Sequence, residues 1–143
     1  MKRIPRTIAF AIAALALASC SSMHGMMHSG EAVKLTGANE VPPVSTSATG
    51  SGTVTVNDDH TVSAKITVTG MNATAAHIHE AAAGSNGKVI VPFTKTGDNE
   101  FSAPAGAKLT DEQYEAYKAG KLYVNVHSAA HPGGEIRAQL SGH

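Results

Sequence analysis

Cysteine, tryptophan and net charge are all scarce in this chain, and each scarcity closes off a class of protein. A single cysteine, Cys20, stands among 143 residues, so an intrachain disulfide is excluded. With no tryptophan, three tyrosines and three phenylalanines, a core must come largely from valine, isoleucine, leucine and alanine. Eleven basic residues balance eleven acidic ones and no basic cluster occurs, which argues against nucleic acid as a partner. The longest apolar run, residues 8–18, is too short for a spanning helix.

That run defines the N-terminus. Lys2, Arg3 and Arg6 precede it, as in the n-region and h-region of a secretory signal peptide. It ends in Leu17-Ala18-Ser19-Cys20, which resembles the lipobox of bacterial lipoproteins. The resemblance implies that residues 1–19 are removed and that Cys20 carries the lipid. The other reading is an ordinary secretory signal with an incidental cysteine. Ser21 is not the aspartate that retains some lipoproteins at the inner membrane, so the resemblance implies an outer-membrane anchor facing the periplasm. Three of the eleven basic residues would leave with the signal, making the mature domain mildly acidic. Residues 20–31 then read as a tether without periodicity. The tether is either a plain linker or an auxiliary soft-metal site, since Met23, His24, Met26, Met27 and His28 offer thioether and imidazole donors.

From residue 32 the pattern is β, and the remaining length suits one domain, 32–143. Val33 and Leu35 alternate with polar residues. Residues 53–57 and 61–69 form a hairpin around Asn57-Asp58-Asp59-His60, with Val54, Val56, Val62, Ala64, Ile66 and Val68 on one face. The turn position of His60 predicts solvent exposure. Strands follow at 75–80 and 88–93, with a Gly84-Ser85-Asn86-Gly87 turn between them, and Phe101 packs from a short one after that. One helix, at about 110–119, has clear punctuation: Thr110 and Gln113 make a capping box, Asp111 and Glu112 lie at the positive end, and Gly120 stops it. Tyr114 and Tyr117 share the face that docks it. A last hairpin joins 121–127 to 135–140. The fold class is all-β, an antiparallel Greek-key β-sandwich with one short helix.

Alternation also orients the histidines. Ala76 and Ile78 take the core face, so His77 and His79 share the opposite one, about 7 Å apart along the strand. His127 lies opposite Val124 and Val126, with Tyr123 and Asn125. His131 precedes a Pro-Gly-Gly turn that would fold it back. Arg137 falls on the same polar face, where it would draw an anion to the cluster. Paired imidazoles without sulfur favour copper or zinc over calcium or magnesium, with Glu80 and Glu135 as candidate outer carboxylates. The other reading is that all four histidines are structural. No nucleophile elbow surrounds Ser128, so no catalytic residue is assigned.

The same residues carry a family resemblance. Leu35-Thr36-Gly37-Ala38-Asn39-Glu40-Val41-Pro42-Pro43-Val44, then Ala76-His77-Ile78-His79 with Gly84-Ser85-Asn86-Gly87, and finally residues 120–128 through His131-Pro132-Gly133-Gly134-Glu135-Ile136-Arg137-Ala138-Gln139-Leu140 resemble the CHRD domain of chordin. That resemblance implies an exported domain of undefined activity in bacteria, and in chordin a part of an extracellular growth-factor antagonist. A weaker likeness is to Cu,Zn superoxide dismutase, whose copper site starts with His-x-His and adds a late histidine and an arginine. His77, His79, His127 or His131, and Arg137 match these, but no histidine between His79 and His127 can serve as the metal bridge. The leading expectation is an exported metal-binding lipoprotein using copper, or zinc. The alternatives are a non-catalytic protein-interaction module, its protein partner unknown, and a dismutase-like enzyme.

Overall fold

Valine, isoleucine and leucine at alternate positions give each strand one apolar face, and burying those faces together dictates a wrapped sheet. The computed structural model describes residues 28–143, so the expected signal peptide (1–19), Cys20, Met23, His24, Met26 and Met27 lie outside the described residues. The order is β1 (Glu31–Thr36), β2 (Thr49–Val56), β3 (Val62–Thr69), β4 (Ala73–Glu80), β5 (Lys88–Pro92), β6 (Thr94–Gly97), β7 (Glu100–Ser102), α1 (Asp111–Lys118), β8 (Leu122–Ser128) and β9 (Ile136–Gln139). All strand pairs are antiparallel, in one sheet ordered β5-β4-β8-β9-β1-β2-β3-β7-β6. β9 returns beside β1, which gives the β9-β1-β2-β3 order of a Greek key. β5 and β6 stand at the two ends of that order yet are joined through Phe93 alone, and β6 lies against the start of β4. The two layers of the sandwich are therefore continuous, wrapped around one core.

That core is aliphatic. Leu35, Ile66, Ile78, Leu122, Val124, Val126 and Ile136 are all fully buried, joined by Phe101 and Tyr117. Each such side chain contributes about 1.5–3 kcal/mol relative to an exposed one.

Helix α1 is punctuated as its sequence requires. Thr110 Oγ1 accepts from Gln113 N at 3.2 Å while Thr110 N donates to Gln113 Oε1 at 2.9 Å. Tyr117 is buried beneath it, and Tyr114 stacks on His60 with centroids 4.2 Å apart. His60, expected in solvent, is instead partly covered by this ring, with Asp111 at 3.3 Å. Its backbone still turns as foreseen, with φ at 68°.

Two strand features depart from simple alternation. β2 starts four residues before the apolar pattern does, because its Gly50 and Gly52 sit where neighbours leave no room: a Cβ on Gly52 would lie 2.0 Å from Lys65 O. β8 is buried along its whole length, on both faces. Loops cross its outer face and are tied down by Asn86 Nδ2 donating to Val41 O at 2.7 Å and Gln139 Nε2 donating to Ala81 O at 2.9 Å. The face opposite the core is thus a covered polar layer, and it holds the histidines.

Candidate metal centre

β4 and β8 run side by side with His77 opposite Asn125 and His79 opposite Tyr123. Both strands put their core residues inward, so His77, His79 and His127 all emerge on the outer face. One nitrogen from each of the three lies within 4.8 Å of the others, which is close enough to hold one metal ion.

Two of the three rings are fixed by backbone carbonyls. His79 Nδ1 donates to Gly87 O at 3.0 Å, and His127 Nδ1 donates to Pro132 O at 2.9 Å. Each bond assigns the proton to Nδ1 and leaves Nε2 unprotonated, the outer-shell arrangement that orients metal-ligating imidazoles. The Nε2 of His79 is buried and has no hydrogen-bond partner. The Nε2 of His127 accepts from His77 Nδ1 at 2.9 Å. An uncompensated buried nitrogen costs about 1–3 kcal/mol, so an electrophile at this point would relieve a standing penalty.

Burial favours the neutral form of His77 and His127. Burial, with the neighbouring His127 and His79, lowers the His77 pKa to about 4. Burial also lowers His127, with His79 adding to the effect and the Pro132 carbonyl opposing it. Neutral imidazole is the form that binds metal.

Aromatic contact sets the remaining geometry. The ring of Tyr123 lies parallel to His79, and Arg137 Cζ sits 3.4 Å from the Tyr123 centroid. Because β8 runs between β4 and β9, Tyr123 stands between the histidine and the arginine. Arg137 donates from Nη2 to Ser85 O at 2.8 Å and from Nη1 to Asn86 Oδ1 at 3.2 Å, so its guanidinium turns toward the loop after β4 and away from the histidines. Gly87 ties the group together, since its N–H donates to Tyr123 Oη at 3.2 Å. A Cβ on Gly87 would fall 1.8 Å from Glu80 O, hence the glycine.

The other candidates lie elsewhere. His131 is outside the cluster, held in its turn by backbone bonds with Ser128. Glu80 pairs with Lys88 at 3.7 Å. Glu135 is buried and accepts from Ser128 Oγ and, at 2.7 Å, from Thr46 Oγ1. Burial raises its pKa, but those hydrogen bonds and His131 outweigh it and hold the carboxyl below its ordinary value. His28 approaches Asp58 at 3.6 Å, in the β2–β3 turn.

Sequence reasoning overlooked Glu40 as a member of the polar layer, where it joins Asn125. Glu40 is 4% exposed and Asn125 1%, and each has one oxygen without a partner. Burial pushes the Glu40 carboxyl up, against the pull of Arg137 and Asn125. Gly134 packs directly over the pair, where a Cβ would meet Asn125 Nδ2 and Glu40 Oε1 at 2.5 Å each. The signal available was the Asn39-Glu40 dipeptide in the first family motif.

No curated protein and no solved structure matches the chain. The family model of the CHRD domain matches residues 32–140, and the chain therefore belongs to the CHRD-domain family.

Proposed function

We propose that this protein is an exported, lipid-anchored CHRD protein that binds copper, with zinc as the competing ion, through His77, His79 and His127. The observation that carries the reading is the convergence of one nitrogen from each of the three rings within 4.8 Å, with the buried Nε2 of His79 left without a partner. An all-imidazole set suits either ion, and three protein ligands leave a further position open. The membrane anchor and the envelope location rest on the N-terminal sequence and the Leu17-Ala18-Ser19-Cys20 motif. The Met/His tether would be an auxiliary site for the soft form of the metal.

The carbonyl bonds of His79 and His127 also favour a second reading, an interaction module in which these rings hold two loops in place. The dismutase-like reading draws no support from Arg137, whose Nη atoms bond Ser85 and Asn86.

Titration of the purified chain with Cu(II), Cu(I) and Zn(II), repeated on His77→Ala/His79→Ala, separates the two. A metal centre predicts one site of micromolar affinity or better that disappears in the double variant, about 8 kcal/mol of binding at the micromolar mark. The same stoichiometry in both proteins, after allowing for the tether with Met23→Ala/His24→Ala/Met26→Ala/Met27→Ala/His28→Ala, refutes it.

A further inference from the structure

Away from the three histidines, β1 and β9 pair at a single position, Thr36 with Arg137. At their other end the strands are bridged by a side chain, with Glu31 Oε1 accepting from Ser141 N and Oγ at 2.8 Å each. Between these two ties the strands splay, and a groove of about 680 Å³ opens. That volume falls within the usual range for small-molecule sites. None of its lining residues belongs to the histidine cluster.

The groove holds an unusual charge. Arg137 lines it and is 1% exposed, yet forms no ion pair among the described residues. Its hydrogen bonds go to the neutral acceptors Ser85 O, Asn86 Oδ1 and Gln139 Oε1, and its flat face rests on Tyr123. Buried charges are ordinarily paired, because desolvation is costly without a counter-ion. Lys34, exposed at the mouth, adds a second cation. Glu40 lines the same groove, but its unpartnered Oε1 is packed beneath Gly134, outside the groove. Burial pushes its carboxyl toward the neutral form, against the pull of Arg137 and Asn125. Ala32, Ala38 and Ala83 give one part of the wall an apolar surface, beside the polar Asn39 and Gln139.

We propose that this groove binds a small organic carboxylate, with the carboxylate against Arg137 on the side of Lys34 and an apolar body lying along Ala32, Ala38 and Ala83. A guanidinium suits a planar oxyanion. A single buried cation suits a singly charged carboxylate better than a phosphate dianion. The inference does not depend on the metal centre.

The purified full chain is titrated with hexanoate, hexanol and inorganic phosphate, and backbone amide shifts are followed by NMR. Hexanoate is expected to give saturable shifts at residues 32–34, 38–40 and 138–139, with a Kd at least about tenfold below those of hexanol and phosphate. Lys34→Gln, an exposed change that leaves the fold intact, is expected to weaken hexanoate about two- to fivefold, consistent with one partly screened charge. Ala32→Tyr fills the groove and is expected to abolish the shifts. His77→Ala, whose ring hydrogen-bonds only to His127, is expected to leave them unchanged, which keeps this result separate from the metal titration. The proposal is overturned by an absence of saturable shifts up to about 10 mM, where binding is worth less than about 3 kcal/mol, by hexanol or phosphate binding as well as hexanoate, or by Lys34→Gln binding like the unaltered chain.

Discussion

His79 and Tyr123 face each other across the β4–β8 ladder with rings parallel to within 5° and centroids 4.8 Å apart. Gly87 bonds both, accepting from one through its carbonyl and donating to the other through its N–H. The imidazole is thereby held by a stack on one side and a hydrogen bond at its edge, so its Nε2 direction is set before any ion arrives. Tyr123→Phe keeps the stack and removes one hydrogen bond. It should cost about 1 kcal/mol in chemical denaturation and change metal affinity little. A loss of affinity larger than the loss of stability would show that the hydroxyl, and not the ring, orients His79.

His127 and His131 lie four residues apart but differ in role. His127→Ala should lower metal affinity by at least about tenfold, whereas His131→Ala should leave it unchanged. Equal losses in the two variants, measured by competition with a chromophoric chelator, would place His131 among the ligands.

Acid should destabilise the domain through the buried imidazoles. The pKa of His77 is lowered from 6.5 to about 4, and that of His127 is lowered too. The unfolded chain therefore binds more protons than the native one across this interval, and stability rises with pH there. It is fully present above about pH 6.5 and is lost progressively as pH falls toward 4. Thermal unfolding between pH 7 and 4 checks this, and His77→Gln should flatten the slope.

Gly134 has φ at 124° and covers Glu40 and Asn125 at a distance that admits no side chain. Gly134→Ala should cost about 3 kcal/mol, combining backbone strain with displacement of a buried polar pair. Gly133→Ala, where a Cβ meets nothing within 4 Å, should cost much less. Paired denaturant melts of the two variants give the comparison directly.

Thr110→Ala removes the capping-box acceptor for Gln113 N and should cost about 1 kcal/mol. The effect belongs in stability alone, with metal uptake untouched, since no hydrogen bond or ring contact of His77, His79 or His127 involves α1.

Local rules made much of this molecule legible in sequence. The period-two pattern placed His77, His79 and His127 on one face, and strong punctuation located α1. The glycine-rich start of β2 was not legible, because its reason is tertiary: neighbouring strands occupy the space a Cβ would need. β6 was missed for a similar reason, having no buried residue of its own to announce it. The polar layer was misjudged in one respect. Alternation says which side of a strand a residue takes but not what covers that side, so Arg137 read as a free cation beside the histidines. In fact Tyr123 intervenes and loop carbonyls hold its Nη groups.

At Phe93 the chain passes between the two ends of the sheet order, with Phe93 N donating to Ala76 O at 2.9 Å and Lys95 Nζ to Ala73 O at 2.8 Å. Two margins that share one residue cannot fray independently. Peeling β6 away from the start of β4 pulls on β5, which forms the rim beside His77 and His79. Strand capture by another molecule at this seam would therefore disturb the histidine cluster at the same moment, coupling aggregation resistance to the integrity of the site. A proteolytic nick at Phe93 would turn one continuous wall into two loose hems.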